Sequence, residues 1–388
     1  MSYDLAVYTS RAASTEELRT LIAKSTGLAV EEGTDRSFTV VRGVRRRYCF
    51  TIDGPVVVEA EDVPEDVAAL VLGARFLYSI SVEGTIESEI PHATRFARRL
   101  AEVLDGASSD QQSGEVWSRS RSRMIQKPER HSRVEVLKLR WVCLRDEMKP
   151  DAASIFLDTA RHILPEALPR RFGEYEPFQG KLALDGEGGF RRAWEESILS
   201  LHTSGTVPCL GGYLSAGPSA LRPDAFWSLS LDFLAEPIED ARWQVAIRHL
   251  FTALADQLPA FYASAEVTGG NIWTGRSIWV DGETEWGINP KAREGWTGLP
   301  PLPTWWTWLG HPYEQYFPFL PVDRISSTAR GVLYEGSSEP SGPSQLPHLS
   351  EWLPADLFSN LAPNPHSVRP APLLHAVTIP TVLRERGG

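Results

Sequence analysis

The segment VEVLKLRWVCL, residues 134–144, is the longest candidate strand in the chain, and the rest of the fold can be worked out from it. Apolar side chains occupy both even and odd positions, and so both faces of a strand. They are Val134, Val136, Leu137, Leu139, Trp141 and Cys143. A strand that is apolar on both sides is typical of the middle of a sheet, because both of its faces must be covered. We therefore expect a central strand here.

The chain that follows this segment continues with alternating strand and helix patterns. A helix is expected after Pro150-Asp151, and a longer one over about 239–258, where apolar residues recur at i, i+3 and i+4. Strand patterns cover residues 211–216, 226–234 and 261–268, and a further short strand is expected around 330–334.

The chain that precedes the segment shows a similar plan. Ser14 with Glu17 three residues later has the spacing of a capping box, so a helix begins there. A short helix is expected over 64–72 and a longer one from Pro91. Strand patterns cover residues 4–9, 28–31, 37–41, 47–52, 56–60, 76–82, 110–112 and 115–117. Strand, helix, strands, helix and strand in this order form the split βαβ, or ferredoxin-like, pattern.

These patterns predict an α+β protein built from two tandem ferredoxin-like (split βαβ) sandwiches with a Trp-rich C-terminal extension. The expected divisions are an N-terminal α+β domain over 1–118, a basic linker over 119–133, a second α+β domain with a Trp-rich loop over 134–320, and an irregular extension over 321–388. The linker is rich in arginine. Such a run either contacts phosphate or is a solvated connector, and the second role is the more common.

Composition excludes several classes of protein. The 388 residues carry a formal net charge of −11, which argues against nucleic acid and suits a basic partner, although acidity also keeps many proteins dispersed. No apolar run is long enough to cross a bilayer, and the N-terminus lacks the features of a signal peptide. A cytoplasmic location without membrane association is therefore expected. Cys49, Cys143 and Cys209 are expected to be buried apolar residues without disulfides.

Known catalytic and metal-binding motifs are absent from the sequence, so we expect no cofactor, no metal and no catalytic residue. The glycines at 186, 188 and 189 are interpreted as a turn. Carboxylate pairs with one residue between them occur at Glu87/Glu89, Glu174/Glu176 and Glu283/Glu285. On a strand such a pair points to one side, as a glycosidase or an ADP-ribosyl transferase requires.

The stretch 271–313 holds seven of the 13 tryptophans, and its many prolines and glycines exclude one long helix. We expect short strands followed by an irregular aromatic loop. The rings either cover the core of the second domain or form a partner-binding surface, in which Trp and Tyr commonly carry most of the binding energy. The candidate partner-binding residues are Trp296, Trp305, Trp306, Trp308, His311, Tyr313, Glu283 and Glu285.

Several short motifs resemble bacterial immunity proteins of polymorphic toxin systems. The start of the chain (Tyr3-Asp4-Leu5-Ala6-Val7) and the segment 76–117 resemble the N-terminal half of large members. The segment 258–313 is similar to the immunity protein 52-like group, through Phe261-Tyr262-Ala263, Trp296-x-Gly-Leu-Pro, Pro303-Thr304-Trp305 and Gly310-x-Pro-Tyr313. Residues 173–208 match no known motif.

The resemblance implies a cytoplasmic antitoxin that binds a cognate toxin domain, expected to be basic, and blocks its active site without catalysis of its own. Electrostatic attraction between an acidic antitoxin and a basic toxin would speed their association. The alternative is a hydrolase or transferase with a carboxylate site between the two domains, where pockets often form.

Overall fold

The structure is a computed structural model, and it describes residues 3–359 except for 35, 84–86, 111, 114, 120, 124–131, 216, 218–225, 274–277, 281–290, 293–294 and 297. The chain forms two compact units, residues 1–130 and 131–388. Each unit contains an antiparallel sheet with helices, which confirms the α+β class.

Unit 1 contains eight strands and three α-helices in its described part. In chain order they are β1 (Tyr3–Thr9), α1 (Thr15–Ala23), β2 (Leu28–Gly33), β3 (Ser37–Arg42), β4 (Arg47–Val57), α2 (Glu65–Ala68), β5 (Phe76–Val82), α3 (Ile90–Val103), β6 (Ala107–Asp110), β7 (Val116–Ser118) and β8 (Arg121–Arg123). The sheet order is β2-β3-β4-β5-β1-β6-β7-β8. The first strand, β1, thus lies between the two strands that flank helix α3.

Most sequence signals of unit 1 agree with the structure, although the helix expected over 64–72 is limited to Glu65–Ala68. Ser14 caps α1, accepting a hydrogen bond from the backbone N–H of Glu17 at 3.1 Å. The apolar faces of α1 and α3 pack on one side of the sheet, around Phe50 and Tyr78. The segment 58–74 covers part of the other side. The expected separate strand at 56–60 is wrong, because residues 47–57 form one strand with an irregularity between Asp53 and Val56.

Unit 2 contains a sheet of eleven strands in its described part, a separate two-stranded ribbon and three α-helices. In chain order the elements are β9 (Ser132–Leu144), α4 (Ala152–Ile163), β10 (Arg171–Gly173), β11 (Gly180–Lys181), α5 (Leu182–Glu196), β12 (Ser200–Ser204), β13 (Cys209–Ser215), β14 (Phe226–Leu234), α6 (Ala241–Gln257), β15 (Ala260–Trp273), β16 (Ile278–Val280), β17 (Lys291–Ala292), β18 (Gly295–Trp296), β19 (Trp306–Gly310), β20 (Ile325–Ser327) and β21 (Gly331–Glu335).

The large sheet of unit 2 has the order β11-β10-β12-β13-β14-β9-β15-β19-β21-β20, with β16 paired to β15. Strand β9 lies between β14 and β15, so the predicted central position of residues 134–144 is confirmed. As in unit 1, the first strand of the unit is flanked by the two strands that precede and follow its last helix. The two units therefore share one four-strand order, β4-β5-β1-β6 in unit 1 and β13-β14-β9-β15 in unit 2.

Both faces of the second sheet are covered where its strands are apolar. Helices α4, α5 and α6 pack on one face through a large cluster that includes Trp141 and Phe251. The opposite face is covered in part by residues 299–358, which bury Leu309 and Val332. Residues 321–359 are part of unit 2, where β20 and β21 extend the sheet. This segment is therefore less irregular than expected, and β21 corresponds to the short strand expected around 330–334. Residues 360–388 lie outside the described residues.

Two further expectations can be compared with the fold. The three cysteines are buried and free of disulfides, as predicted. The glycines near 186 do not form a simple turn. Gly186, with φ +64°, interrupts the helical backbone of α5, and Gly188 and Gly189 continue the helix. Among the described residues, no helix is both long and apolar enough to cross a membrane.

Candidate functional site

The aromatic residues predicted to face a partner are buried. The exposed fraction is 3% for Trp296 and 0% for both Trp308 and Tyr313, and Trp305 and Trp306 are also in the core. His311 alone among the six described candidates is exposed, with its Nδ1 3.0 Å from Glu314 Oε1. Glu283 and Glu285 lie outside the described residues. The burial of the five rings is what the alternative interpretation, a cover over the core, requires.

Strand β19 explains where three of the tryptophans lie. The stretch predicted to be an irregular loop contains this five-residue strand, which pairs with β15 and β21. Trp306 and Trp308 point toward the helices, and Trp306 lies 5.8 Å from the ring of Phe251. Trp305 stacks on Trp306, with ring centroids 3.9 Å apart. The indole N–H of Trp305 donates to Ser337 O at 3.0 Å, and that of Trp308 to Ala260 O at 3.3 Å, so these polar groups are satisfied inside the core.

Trp296 and Tyr313 fill the opposite face of the same sheet. The indole N–H of Trp296 donates to Tyr313 Oη at 2.7 Å. The Trp296 ring packs edge-on against Phe261, with centroids 4.9 Å apart, and also contacts Phe226. Burial raises the pKa of the Tyr313 hydroxyl, with a smaller opposing effect from its hydrogen bond with Trp296. This pair therefore packs β18 and the residues that follow β19 against this face of the sheet.

Two of the three carboxylate pairs lie within the described residues, and one member of each has structural contacts. Glu89 is buried and accepts from Arg42 Nε at 2.7 Å and Nη2 at 2.8 Å, and from Cys49 Sγ at 3.2 Å. Glu174 accepts from the backbone N–H groups of Ile198 and Leu199 at 2.5 and 3.4 Å. Within the described part of the chain, no group of three His, Cys, Asp or Glu residues has the geometry to hold a metal ion.

The Glu89 contact predicts a pH dependence of stability. Hydrogen bonding to Arg42 is the largest effect on the Glu89 carboxyl, and it lowers the pKa from 4.5 to about 2. A carboxyl with a lowered pKa stabilises the fold above its unfolded-state pKa, and that contribution is lost as the pH falls from about 4.5 toward 2. Glu89→Gln should therefore cost about 1–3 kcal/mol at pH 7, toward the low end because Arg42 is partly exposed to solvent.

Denaturant unfolding of unit 1 between pH 7 and pH 2.5 measures this effect. The Glu89→Gln curve should depend less on pH than that of the wild type. Glu17→Gln is the matched control, because Glu17 pairs with Arg11 at an exposed site and the change should cost less than about 1 kcal/mol. Equal losses in the two variants would contradict a special role for the buried carboxylate.

An exposed apolar group does occur in unit 2, in the region that matched no motif. The exposed fraction is 62% for Tyr175, 51% for Ile198 and 80% for Leu199. The two hydrogen bonds from Ile198 and Leu199 to the Glu174 carboxylate hold these segments together, and Tyr175 is the next residue along the chain. We call Tyr175, Ile198 and Leu199 the apolar patch. Exposed large apolar side chains on two segments that hydrogen bonds join are a candidate interaction site.

Four carboxylates lie close to the apolar patch along the chain. Glu174 and Glu176 flank Tyr175, and Glu195 and Glu196 end helix α5 just before Ile198; all four are exposed. Arg191 and Arg192 lie one turn earlier on the helix and are also exposed. We call the four glutamates the acidic rim. They outnumber the two arginines, so the surroundings of the patch favour a positively charged surface.

The apolar patch was missed in the sequence because helix α5 was not predicted. A local signal was present: Phe190 and Trp194 are four residues apart and both buried, with arginine and glutamate on the other positions. The cluster of glycines at the start of this helix hid the pattern. With the helix recognised, Ile198 and Leu199 stand out as apolar residues that follow its end and have no place in the core.

Similarity to known proteins is weak. No family model matches the chain, and no curated protein matches it. Among solved structures, the chain is similar to the T6SS protein PA0821 of Pseudomonas aeruginosa, with a TM-score of 0.42 and 15% sequence identity, over 63% of this chain and 79% of that one. The function is therefore inferred from the residues of this chain.

Proposed function

We propose that this chain is a cytoplasmic immunity protein that binds and blocks a cognate, basic toxin domain, and that the apolar patch with its acidic rim is the contact surface. The observation that carries this proposal is the exposure of Tyr175, Ile198 and Leu199 beside four carboxylates. The net charge of −11 and the resemblance of the segment 258–313 to the immunity protein 52-like group support the same function. In this proposal the protein acts by occupying its partner and catalyses no reaction.

The composition of the patch suits this role physically. Apolar side chains lose their contact with water when a partner covers them, which contributes about 25 cal/mol per Å² of buried apolar surface. A tyrosine at the centre of an interface is a frequent source of binding energy. Carboxylates at the edge add attraction for a basic domain and mainly increase the association rate. Tyr175 is thus proposed as the anchor and the acidic rim as the steering element.

The two units are proposed to derive from one split βαβ plan of ferredoxin-like type. The support is the four-strand order that they share, in which the first strand lies between the strands before and after the last helix. In unit 1 the additional strands are β2, β3, β7 and β8, and in unit 2 additional strands extend both edges of the sheet. The apolar patch lies near the β10–β12 edge, and so on an addition to the shared plan.

The experiment takes the product of the neighbouring reading frame as the candidate toxin and compares its binding to the full chain and to Ile198→Glu/Leu199→Glu. The wild type should form a 1:1 complex and restore growth of cells that express the toxin. The double variant should raise the Kd about 100-fold, because two apolar contacts are lost and like-charged side chains are added. Its unfolding curve should change by less than about 0.5 kcal/mol, since both residues are exposed in the free protein.

Val322→Glu is the matched control. Val322 is 85% exposed in the same unit, and the substitution adds one negative charge away from the patch, half of the charge added by the double variant. It should bind the toxin domain with the affinity of the wild type. Equal loss in both variants would assign the effect to net charge, and full affinity of the double variant would place the contact elsewhere. A neighbouring toxin that the wild-type chain does not neutralise would contradict the proposed function itself.

A further inference from the structure

A row of polar side chains crosses the second sheet on the face opposite its helices. Each member is directly opposite the next on the neighbouring strand, and in order across five strand pairs they are Tyr213, Ser230, Arg140, Ser264, Thr307 and Tyr334. The neighbouring row has Lys138 between Asp232 and Glu266. Ser230, Ser264 and Thr307 are buried, whereas Arg140 and the three charged residues beside it are partly exposed.

Arg140, at the centre of this face, has free donors. Its Nε and Nη1 are out of contact with solvent and have no hydrogen-bond partner among the described residues. The carboxylates do not supply one: Asp232 and Glu266 each lie opposite Lys138, and Glu266 Oε1 also accepts from the Ser264 hydroxyl at 2.9 Å. A buried donor without an acceptor is destabilising, and more so when it is charged. In the described part of the chain, two donors of this guanidinium thus remain unsatisfied.

The surroundings of Arg140 preserve its charge and add further polar groups. Burial acts against the charged form, but Tyr213, Glu266, Tyr262 and Asp232 outweigh it and leave the pKa of Arg140 raised. The Tyr262 hydroxyl is also buried without a hydrogen-bond partner among the described residues. Burial raises the pKa of that hydroxyl, and the nearby Ser264 opposes this shift. The Ser264 hydroxyl itself donates its hydrogen bond to Glu266. Arg140 remains a cation whose donors point into a polar, half-buried face.

We infer that Arg140, with Ser230 and Ser264 on either side, forms a binding site for a small molecule that carries a carboxylate or a phosphate group. Guanidinium donors match the oxygens of both groups, and such hydrogen bonds are roughly twice as strong as those between neutral partners. Asp232 and Glu266 flank Lys138, which offsets their repulsion of an anion. Part of the Arg140 side chain is exposed at this face of the sheet. This site does not depend on the proposed binding of a toxin.

Isothermal titration calorimetry of the full chain with inorganic phosphate and with succinate tests the inference. At least one of the two anions should bind with 1:1 stoichiometry and raise the Tm, and the stronger one identifies the preferred group. Arg140→Met should abolish the heat and the Tm shift, and in the absence of anion its Tm should equal or exceed that of the wild type, since a buried unpaired charge is removed. Arg140→Lys, which keeps the charge but not the planar donors, should raise the Kd at least about tenfold.

Arg192→Met is the control, because it removes an exposed arginine of the same unit. It should bind the anion as the wild type does. Absence of binding by both anions to the wild type would overturn the inference, as would equal binding by the Arg140 variants. A large loss of Tm in both Arg140→Met and Arg140→Lys without anion would also overturn it, because it would assign Arg140 a purely structural role.

Discussion

Replacing Trp308 by alanine is expected to destabilise unit 2 by about 3–5 kcal/mol, the usual cost of deleting a large aromatic ring from a core. Trp308 is fully buried, and its ring lies so close to Gly331 that a Cβ at that position would touch it, 2.7 Å from Cζ2. The indole N–H also donates to Ala260 O. Domains typically have only about 5–15 kcal/mol of stability, so this single change leaves unit 2 marginal.

Tryptophan fluorescence in a urea titration measures the loss, because all tryptophans except Trp117 belong to unit 2. His311→Ala is the control from the same stretch; its side chain is 67% exposed, so the change should stay within about 0.5 kcal/mol. Variants of Trp306 and Tyr313 should behave like that of Trp308. Weaker toxin binding with unchanged stability in these variants would restore the partner-binding interpretation of the aromatic stretch.

Gly212→Ala is expected to be the second most damaging change, with a cost of about 3 kcal/mol or more. Gly212 lies in β13, paired with Thr203 on one side and Leu231 on the other. An added methyl group would overlap the carbonyl oxygen of Ser230 and crowd the Cα of Leu231, both of which are backbone atoms of the neighbouring strand. Backbone in the middle of a sheet cannot move aside as a flexible side chain can, so the pairing of β13 with β14 must shift.

The same substitution at Gly188 should increase the stability of unit 2, where Gly212→Ala decreases it. Gly188 lies in helix α5 at an exposed position, and no heavy atom lies within 4 Å of the place where its Cβ would be. Alanine there should stabilise unit 2 by about 0.5–1 kcal/mol, because glycine loses more conformational freedom in a helix. Thermal unfolding of both variants beside the wild type tests the pair. Equal Tm values for the two variants would contradict the close approach at Gly212.

Local pattern was sufficient for most of the elements. The strand at 226–234 has the predicted bounds, Ser14 caps α1 as expected, and 134–144 lies at the centre of its sheet. These features depend on side-chain periodicity and on contacts within a few residues, both of which are written in the local sequence. Helix α5 was not predicted, because Gly186 breaks its pattern. Strands β10, β11 and β12 were also not predicted, and β19 lies in a stretch expected to be an irregular loop.

The candidate sites could not be predicted in this way. The apolar patch joins Tyr175 to Ile198, and the polar row brings Arg140 opposite Ser264; both depend on which distant strands pair and in what register. The tryptophans show the same limit. Their number indicated a large aromatic area but not whether that area is buried or exposed. By itself the sequence determined the elements, the acidic charge and the central strand. Only the tertiary structure decided which side chains are buried, because a one-residue change of register moves every side chain of a strand to the other face of the sheet.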